Sequence, residues 1–357
     1  MRPIAAVIDL RAVVHNYHVA KNCAPGRQVF AVVKANAYGH GVREVVTALH
    51  EADGFAVACL EEAAEVRAMH GDARILLLEG CFEASEYFIA AQLGLDVVVQ
   101  GAEQLTALLG ADLPAPLNVW CKFDTGMHRL GFDQTQLRQA HAALRSAPQV
   151  AQVNLISHFA CADERGHTLT EQQLERYLDV LDLDFDLRSL ANSAAVLTIA
   201  AAHMDWIRPG IMLYGVSPFT ELTAAQLGLR AVMTLAARVI AVREVAVGES
   251  VGYGASWVAQ RPSRIATVCC GYADGYPRGA AEGTPVFVDG QCAPLVGRVS
   301  MDMLTIDVTD LPQVGVDSAV ELWGAQVSVN EVAQACGTIG YELLSKVTPR
   351  VPRRYIG

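Results

Sequence analysis

Apolar positions in the first two thirds of the chain follow two alternating patterns. Unbroken apolar runs at 29–33, 54–58, 75–78, 96–99, 117–121, 153–157, 187–190 and 206–208 predict strands. Between several of them, at 43–50, 60–70, 103–109, 134–144 and 170–181, apolar residues recur three and four apart, the spacing of one helix face. A strand covered on both faces reads as a continuous run, so these runs predict a parallel sheet under helices. Eight such strands in a row, each followed by helical sequence, predict an α/β fold with a closed (β/α)8 TIM-type barrel. No G-x-G-x-x-G follows the first strand and no G-x-x-x-x-G-K-[ST] occurs, so dinucleotide and P-loop folds lack their phosphate cradle.

After about residue 230 the texture changes. Short runs at 233–247, 264–270, 285–289 (with a turn at Asp289-Gly290), 304–308 and 320–323 are separated by Gly, Pro and Asp. They predict a predominantly β C-terminal domain. The expected division is a barrel over 11–229 and a β domain over 230–357, with the opening strand of residues 1–10 pairing outside the barrel.

Composition narrows the class. With 52% hydrophobic and 18% charged residues the chain can bury a large core, which excludes wholesale disorder. A net charge of −11 argues against a nucleic-acid surface or an anionic membrane face. No apolar run approaches the ~20 residues of a membrane span. The N-terminus reaches Asp9 too soon for a signal peptide, so a cytoplasmic protein is expected. Nine cysteines without a C-x-x-C pair read as thiols in a reducing compartment, with no disulfide framework and no metal site.

Only four lysines are present, Lys21, Lys34, Lys122 and Lys346, against 23 arginines. Lys34 ends the first barrel strand, on the face where barrels of this kind carry their chemistry. Apolar walls there disfavour an ammonium and leave an amine free to act as nucleophile or base. The blander reading, a snorkelling lysine, is weakened by the adjoining Gly39-His40-Gly41, which permits close backbone approach to a ligand. Asn192-Ser193-Ala194-Ala195 follows the seventh strand and opens a helix, with Ser193 a candidate N-cap. Arg208-Pro209-Gly210-Ile211 follows the eighth. Backbone N–H groups after these two strands form the usual phosphate cradle of such barrels. A strand-end lysine facing a phosphate cradle suits pyridoxal phosphate, whose aldehyde needs an amine and whose phosphate needs an anchor. From the residues alone, Lys122 beside Asp124 reads as a structural ion pair and His158 as a satisfied strand-end histidine.

The nine residues Val33-Lys34-Ala35-Asn36-Ala37-Tyr38-Gly39-His40-Gly41 resemble the cofactor-lysine signature of alanine racemases. The resemblance runs essentially end to end. It takes in Lys122 through Gly131, Ser157-His158-Phe159, Asn192-Ser193-Ala194-Ala195 and Ile207 through Gly215 in the barrel. In the tail it takes in Val251-Gly252-Tyr253-Gly254, Gly271 through Gly275, Val299-Ser300-Met301-Asp302 and Gly340-Tyr341-Glu342. It implies a head-to-tail homodimer in which Lys34 carries pyridoxal phosphate covalently. Tyr38, Ser193, Tyr341 and the backbone of Gly210 and Ile211 would hold the phosphate. Arg208 would face the pyridine nitrogen, His158 would be among the cofactor-binding residues, and Tyr253 of the partner subunit would be the second base; a hydrogen-bonded Arg208–His158–Tyr253 chain would favour its phenolate. Arg129 and the Met301 N–H, next to Asp302, would receive the substrate carboxylate. Lys122 stands where family members often carry a carbamylated lysine that orients the arginine. Asp163, Tyr272, Arg278 and Arg298 match positions lining the substrate entry.

The chemistry agrees with these roles. Racemisation removes a Cα proton from one face and returns one to the other, so two bases must flank the reacting carbon. An arginine keeps its proton and only donates to the ring nitrogen, which leaves a weaker electron sink and limits side reactions. A non-catalytic carrier on the same barrel would lack the β domain. A decarboxylase of this fold type would bring an acid where Arg208 stands. A broad-specificity periplasmic racemase would show a signal peptide. The residues leave open alanine against serine preference, and wall synthesis against D-alanine breakdown.

Overall fold

The computed structural model describes residues 2–357. The chain opens with β1 (Ile4–Asp9) and a helix over Leu10–Cys23, then enters a closed barrel. Its strands are β2 (Gln28–Val32), β3 (Gly54–Val57), β4 (Arg74–Leu77), β5 (Asp96–Val99), β6 (Leu117–Lys122), β7 (Val150–Ile156), β8 (Arg188–Ser189) and β9 (Trp206–Ile207). Neighbours pair in parallel in sequence order, and β2 closes on β9 through Gln28↔Trp206 and Val29↔Ile207. All eight expected strands are there. The last two are only two residues long; the Asp205 carboxylate takes the Arg188 N–H at the start of β8.

Inside the barrel the inward positions form a dry plug of Phe30, Val32, Ala56, Leu76, Val98, Trp120, Ile156 and Trp206. Phe30 stacks on Trp206 with centroids 4.0 Å apart and meets Trp120 edge-on at 5.8 Å. Strand side chains alternate between faces. The next inward positions, two residues beyond Val32, Trp120, Ile156 and Trp206, are therefore Lys34, Lys122, His158 and Arg208. Period two alone gathers three cations and an imidazole at one mouth of the barrel.

The tail is built on β10 (Met233–Val245), which pairs with β1, β13 (Ser263–Val268) and β17 (Ala319–Trp323). Between β10 and β13 lies a small hairpin of β11 (Ser250–Val251) and β12 (Trp257–Val258). A second hairpin, β14 (Pro285–Val288) with β15 (Gln291–Pro294), turns at Asp289 and Gly290, with φ values of 42° and 91°. That is the two-residue turn expected from the Asp-Gly pair. β13 also pairs with β16 (Leu304–Asp307), and β18 (Arg353–Ile356) lies parallel to β1. The opening strand thus sits outside the barrel, as its sequence suggests. The tail is not purely β: helices at Val329–Ala335 and Gly340–Ser345 interrupt it, the first capped by a Ser328–Glu331 box.

Candidate active site

Lys34 stands at the head of an unusual turn. Ala35, Asn36 and Ala37 have φ of 54°, 53° and 52° with ψ near the same values, and Tyr38 follows at φ 52°. A left-handed helical turn of non-glycine residues costs about 1–2 kcal/mol each, so it must be held from outside. Glu62 does this at the entrance: Oε1 accepts the Ala35 N–H at 2.7 Å and Oε2 that of Ala58 at 2.9 Å. Asn36 Oδ1 accepts the Val42 N–H, and the buried His40 Nδ1 lies 2.9 Å and 3.0 Å from the Ala37 and Tyr38 carbonyls. Burial pushes His40 down to about 4, so the imidazole is neutral and its Nδ1–H donates to those carbonyls.

The turn delivers Tyr38 to the ends of β8 and β9. Its ring stacks on Tyr214, centroids 4.7 Å apart, and lies 6.1 Å from the ring of Tyr341. Burial pushes Tyr38 up to about 12 and raises Tyr341 as well, so both phenols keep their protons and can donate. A Cβ placed on Gly210 would lie 2.5 Å from the Tyr38 hydroxyl, so only glycine leaves that oxygen its place. The helix N-cap is Asn192, whose Oδ1 takes the Ala195 N–H; Ser193, the expected cap, is one residue inside. That shift frees Ser193 Oγ to accept from Gly210 N–H at 2.8 Å. Ile211 is fully buried, and its N–H finds no acceptor among the described residues. Tyr38, Ser193, Gly210, Ile211 and Tyr341 therefore converge. An unpartnered buried N–H with protonated phenols beside it is a donor set suited to an anion such as a phosphate.

Arg208 is buried beneath this cradle. Its guanidinium donates to Ser189 Oγ, the Ser157 carbonyl and the Leu190 carbonyl. Desolvation pushes it down to about 10, which still leaves it charged at neutral pH. Those three acceptors take the place of the expected link to His158; no hydrogen bond joins the two side chains. Burial together with Arg208, Lys122, Arg129 and Lys34 drives His158 well below the usual imidazole range, so it is neutral. Lys122 is pushed down to about 8, first by desolvation and then by Arg208 and Arg129. It makes no ion pair with Asp124. Asp124 faces away and caps its own loop, accepting from Gly126, Met127 and His128 N–H groups, with His128 Nδ1 at 3.2 Å. Lys34 Nζ has one acidic neighbour, Glu79 at 3.9 Å.

A second group lies in the tail. Tyr253 is 69% exposed, in a turn between Gly252 at φ 77° and Gly254 at φ 75°. A Cβ on Gly254 would lie 3.2 Å from Arg298 Nη1, so the guanidinium rests on this turn. Tyr272, Met301 and Asp302 stand together beyond the paired ends of β13 and β16, where Val268 opposes Leu304. Arg129, Asp163 and Arg278 are exposed; Arg129 acts on Lys122 and His158, and Asp163 on Tyr341, so both border the barrel mouth. Glu62, Tyr214, Ser157 and Ser189 support the site without having been singled out. The serines inside the runs at 153–157 and 187–190 are the signals among them.

A closed parallel barrel with a lysine, a buried arginine and an anion cradle at its strand ends is the architecture of a barrel enzyme. Comparison makes the class specific. The chain matches the family models "Alanine racemase, N-terminal domain" over residues 8–218 and "Alanine racemase, C-terminal domain" over residues 232–355. It is 72% identical, over 99% of both chains, to the biosynthetic alanine racemase of Pseudomonas aeruginosa. The crystal structure of the biosynthetic enzyme from Pseudomonas aeruginosa superposes with a TM-score of 0.99 at 71% identity, covering 100% of each chain. An alanine racemase from Bartonella henselae with covalently bound pyridoxal phosphate superposes at 0.89 with 32% identity, again over 100% of each chain. The chain belongs to the alanine racemase family.

Gly210→Ala should weaken pyridoxal phosphate binding at least about tenfold, since an added methyl displaces the Tyr38 hydroxyl and a charged hydrogen bond is worth ~1.5–3 kcal/mol. Equilibrium dialysis measures it. Unchanged affinity in a folded variant would remove Gly210 and Tyr38 from the cradle.

Proposed function

We propose that this chain interconverts L-alanine and D-alanine with pyridoxal phosphate, as a cytoplasmic homodimer whose sites are shared between chains. Support comes first from the placing of Lys34 beside an anion cradle at the barrel mouth, in a chain that matches alanine racemases from end to end. When bound, pyridoxal phosphate supplies the electron sink that makes a Cα proton of the amino acid removable. Lys34 would hold it through Nζ, and Tyr38, Ser193, Tyr341 and the backbone of Gly210 and Ile211 would hold its phosphate. Arg208, locked by three acceptors, would donate to the ring nitrogen without giving up its proton. His158, kept neutral by burial and by the nearby Arg208, Lys122, Arg129 and Lys34, would border the cofactor.

Lys34 Nζ holds the proton on one face of the reacting carbon and the Tyr253 hydroxyl of a second chain holds it on the other. Arg129 and the Met301 N–H, backed by Asp302, bind the substrate carboxylate. Asp163, Tyr272, Arg278 and Arg298 border the entry. In this reading residues 11–229 form the barrel unit, and residues 230–357, joined by 1–10, form the unit that presents Tyr253 to a partner.

Tyr253→Phe should lower racemisation of either enantiomer by ~10²–10⁴-fold, the range for a general acid–base group, while the cofactor's visible absorbance stays. Polarimetry with added pyridoxal phosphate measures the rate, and a variant within about threefold of wild type would end the two-base assignment. Lys122 would orient Arg129. With its amine pushed down to about 8, it loses its proton as pH rises through that value and can add carbon dioxide as a carbamate. That exchanges a cation for an anion next to Arg129, and would orient the guanidinium. In carbon-13 bicarbonate the carbamate resonance should grow across this pH window and vanish in Lys122→Gln; a resonance untouched by the substitution would exclude Lys122.

A further inference from the structure

Asp274 is fully buried in the tail, and arginines from two remote segments converge on it. Arg2 donates to both of its oxygens, at 2.5 and 2.8 Å, and Arg350 Nε lies 3.0 Å from Oδ1. The same arginines bind the next turn: Arg2 Nη2 donates to the Asp302 carbonyl at 3.0 Å and Arg350 Nη2 to Asp302 Oδ1 at 2.6 Å. Asp274 also closes its own turn, since its Oδ2 accepts the Gly271 N–H at 2.9 Å and its N–H donates to the Gly271 carbonyl at 3.0 Å. A buried carboxylate needs charged partners and filled lone pairs to stay ionised, and this one has both.

The closed turn then fixes a peptide in the neighbouring one. Tyr272 N–H donates to the Ser300 carbonyl and Ala273 N–H to the Met301 carbonyl, each at 3.0 Å. The two turns touch so closely that a Cβ on Gly271 would lie 2.4 Å from both of those carbonyl oxygens. In a trans peptide the N–H points opposite to the C=O. With the Ser300 carbonyl pinned to Tyr272, the Met301 N–H must point away from the Asp274 turn, out of the protein. It has no acceptor among the described residues, and Met301 is 52% exposed.

We propose that Asp274 is a positioning residue for substrate carboxylate binding: with Arg2 and Arg350 it locks the 271–275 turn against the 300–303 turn and so aims the Met301 N–H. The inference rests on the reading above that this N–H receives the carboxylate of alanine. Asp274 touches neither substrate nor cofactor. Its effect reaches the Ser300–Met301 peptide through the Tyr272 N–H to Ser300 carbonyl bond, with the Ala273 N–H to Met301 carbonyl bond and the two arginines on Asp302 holding the turns together. Arg2 carries the N-terminus into the same clamp, which explains why a residue so far in sequence from every reacting group belongs to the site's frame.

The test compares wild type, Asp274→Asn and Arg350→Gln as pyridoxal phosphate holoenzymes. Their KM and kcat for alanine are measured, along with the inhibition constant of acetate, a carboxylate with no amino group to bind elsewhere. A mis-aimed hydrogen bond to a charged group should raise KM and the acetate constant together by about tenfold in Asp274→Asn, and less in Arg350→Gln, with kcat moving far less. Cofactor absorbance should be unchanged in both. If KM and the acetate constant stay within about twofold in the folded variants while only Tm falls, Asp274 is merely structural and the proposal fails. Should Asp274→Asn not fold, Arg350→Gln alone decides by the same criteria, since its side chain is partly exposed and the buried carboxylate keeps Arg2. A wild type that does not racemise alanine would overturn the functional reading instead, whereas acetate binding would still read the clamp.

Discussion

Like charges crowded above an apolar plug set the terms for this molecule. Strand alternation in a closed barrel puts Lys34, Lys122 and Arg208 one layer above Val32, Trp120 and Trp206, with Arg129 close by. The packed side chains beneath them are apolar and do not offset the repulsion, and charges near a protein surface interact several times more strongly than in water. The consequences are visible group by group. Lys122 is driven towards neutrality, His158 stays uncharged, and Arg208, pushed down to about 10, remains a cation with its N–H groups given to three acceptors. A mouth of this kind favours anions. It suits a phosphate on one side and a carboxylate on the other.

Two rigid devices then place the donors. On the barrel side, a left-handed turn held by Glu62, Asn36 and His40 swings Tyr38 onto Gly210 immediately after Lys34. On the tail side, a buried carboxylate between two arginines locks the turns that carry Tyr272 and Met301. Both store cost in unfavourable backbone or buried charge and return it as fixed direction, the usual way a protein preorganises a site. They lie in different units of the chain, and this is why the active site is read as a meeting of two surfaces.

Much of this was legible in the sequence, for identifiable reasons. Doubly covered strands read as unbroken apolar runs, and the first polar residue past each run marks the mouth; Lys34 and Arg208 follow from that alone. The nine residues around Lys34 carried the family. What stayed hidden depends on contacts between distant segments. The left-handed turn is written in alanines and an asparagine that would serve equally in a helix, and it exists because Glu62 and His40 hold it. Asn192 displaced Ser193 as the cap because both are good caps and only the path of β9 decides which oxygen faces Gly210. Asp124 looks like a partner for Lys122, yet β6 ends at Lys122 and the loop that follows turns Asp124 onto its own Gly126, Met127 and His128 N–H groups. Asp274 and Arg2 are hundreds of residues apart, and nothing local announces their pairing.

The central claim is that Lys34 of one chain works with Tyr253 of another. Chains carrying Lys34→Ala and chains carrying Tyr253→Phe should each be inactive, and a mixture tests the claim directly. Hybrid dimers would hold one intact site, with Lys34 from the second kind of chain and Tyr253 from the first. Racemase activity should therefore appear as chains exchange, following the formation of hybrids tracked by two different tags. Hybrids that form in quantity and remain inactive would contradict the account, and would mean that each chain completes its own site.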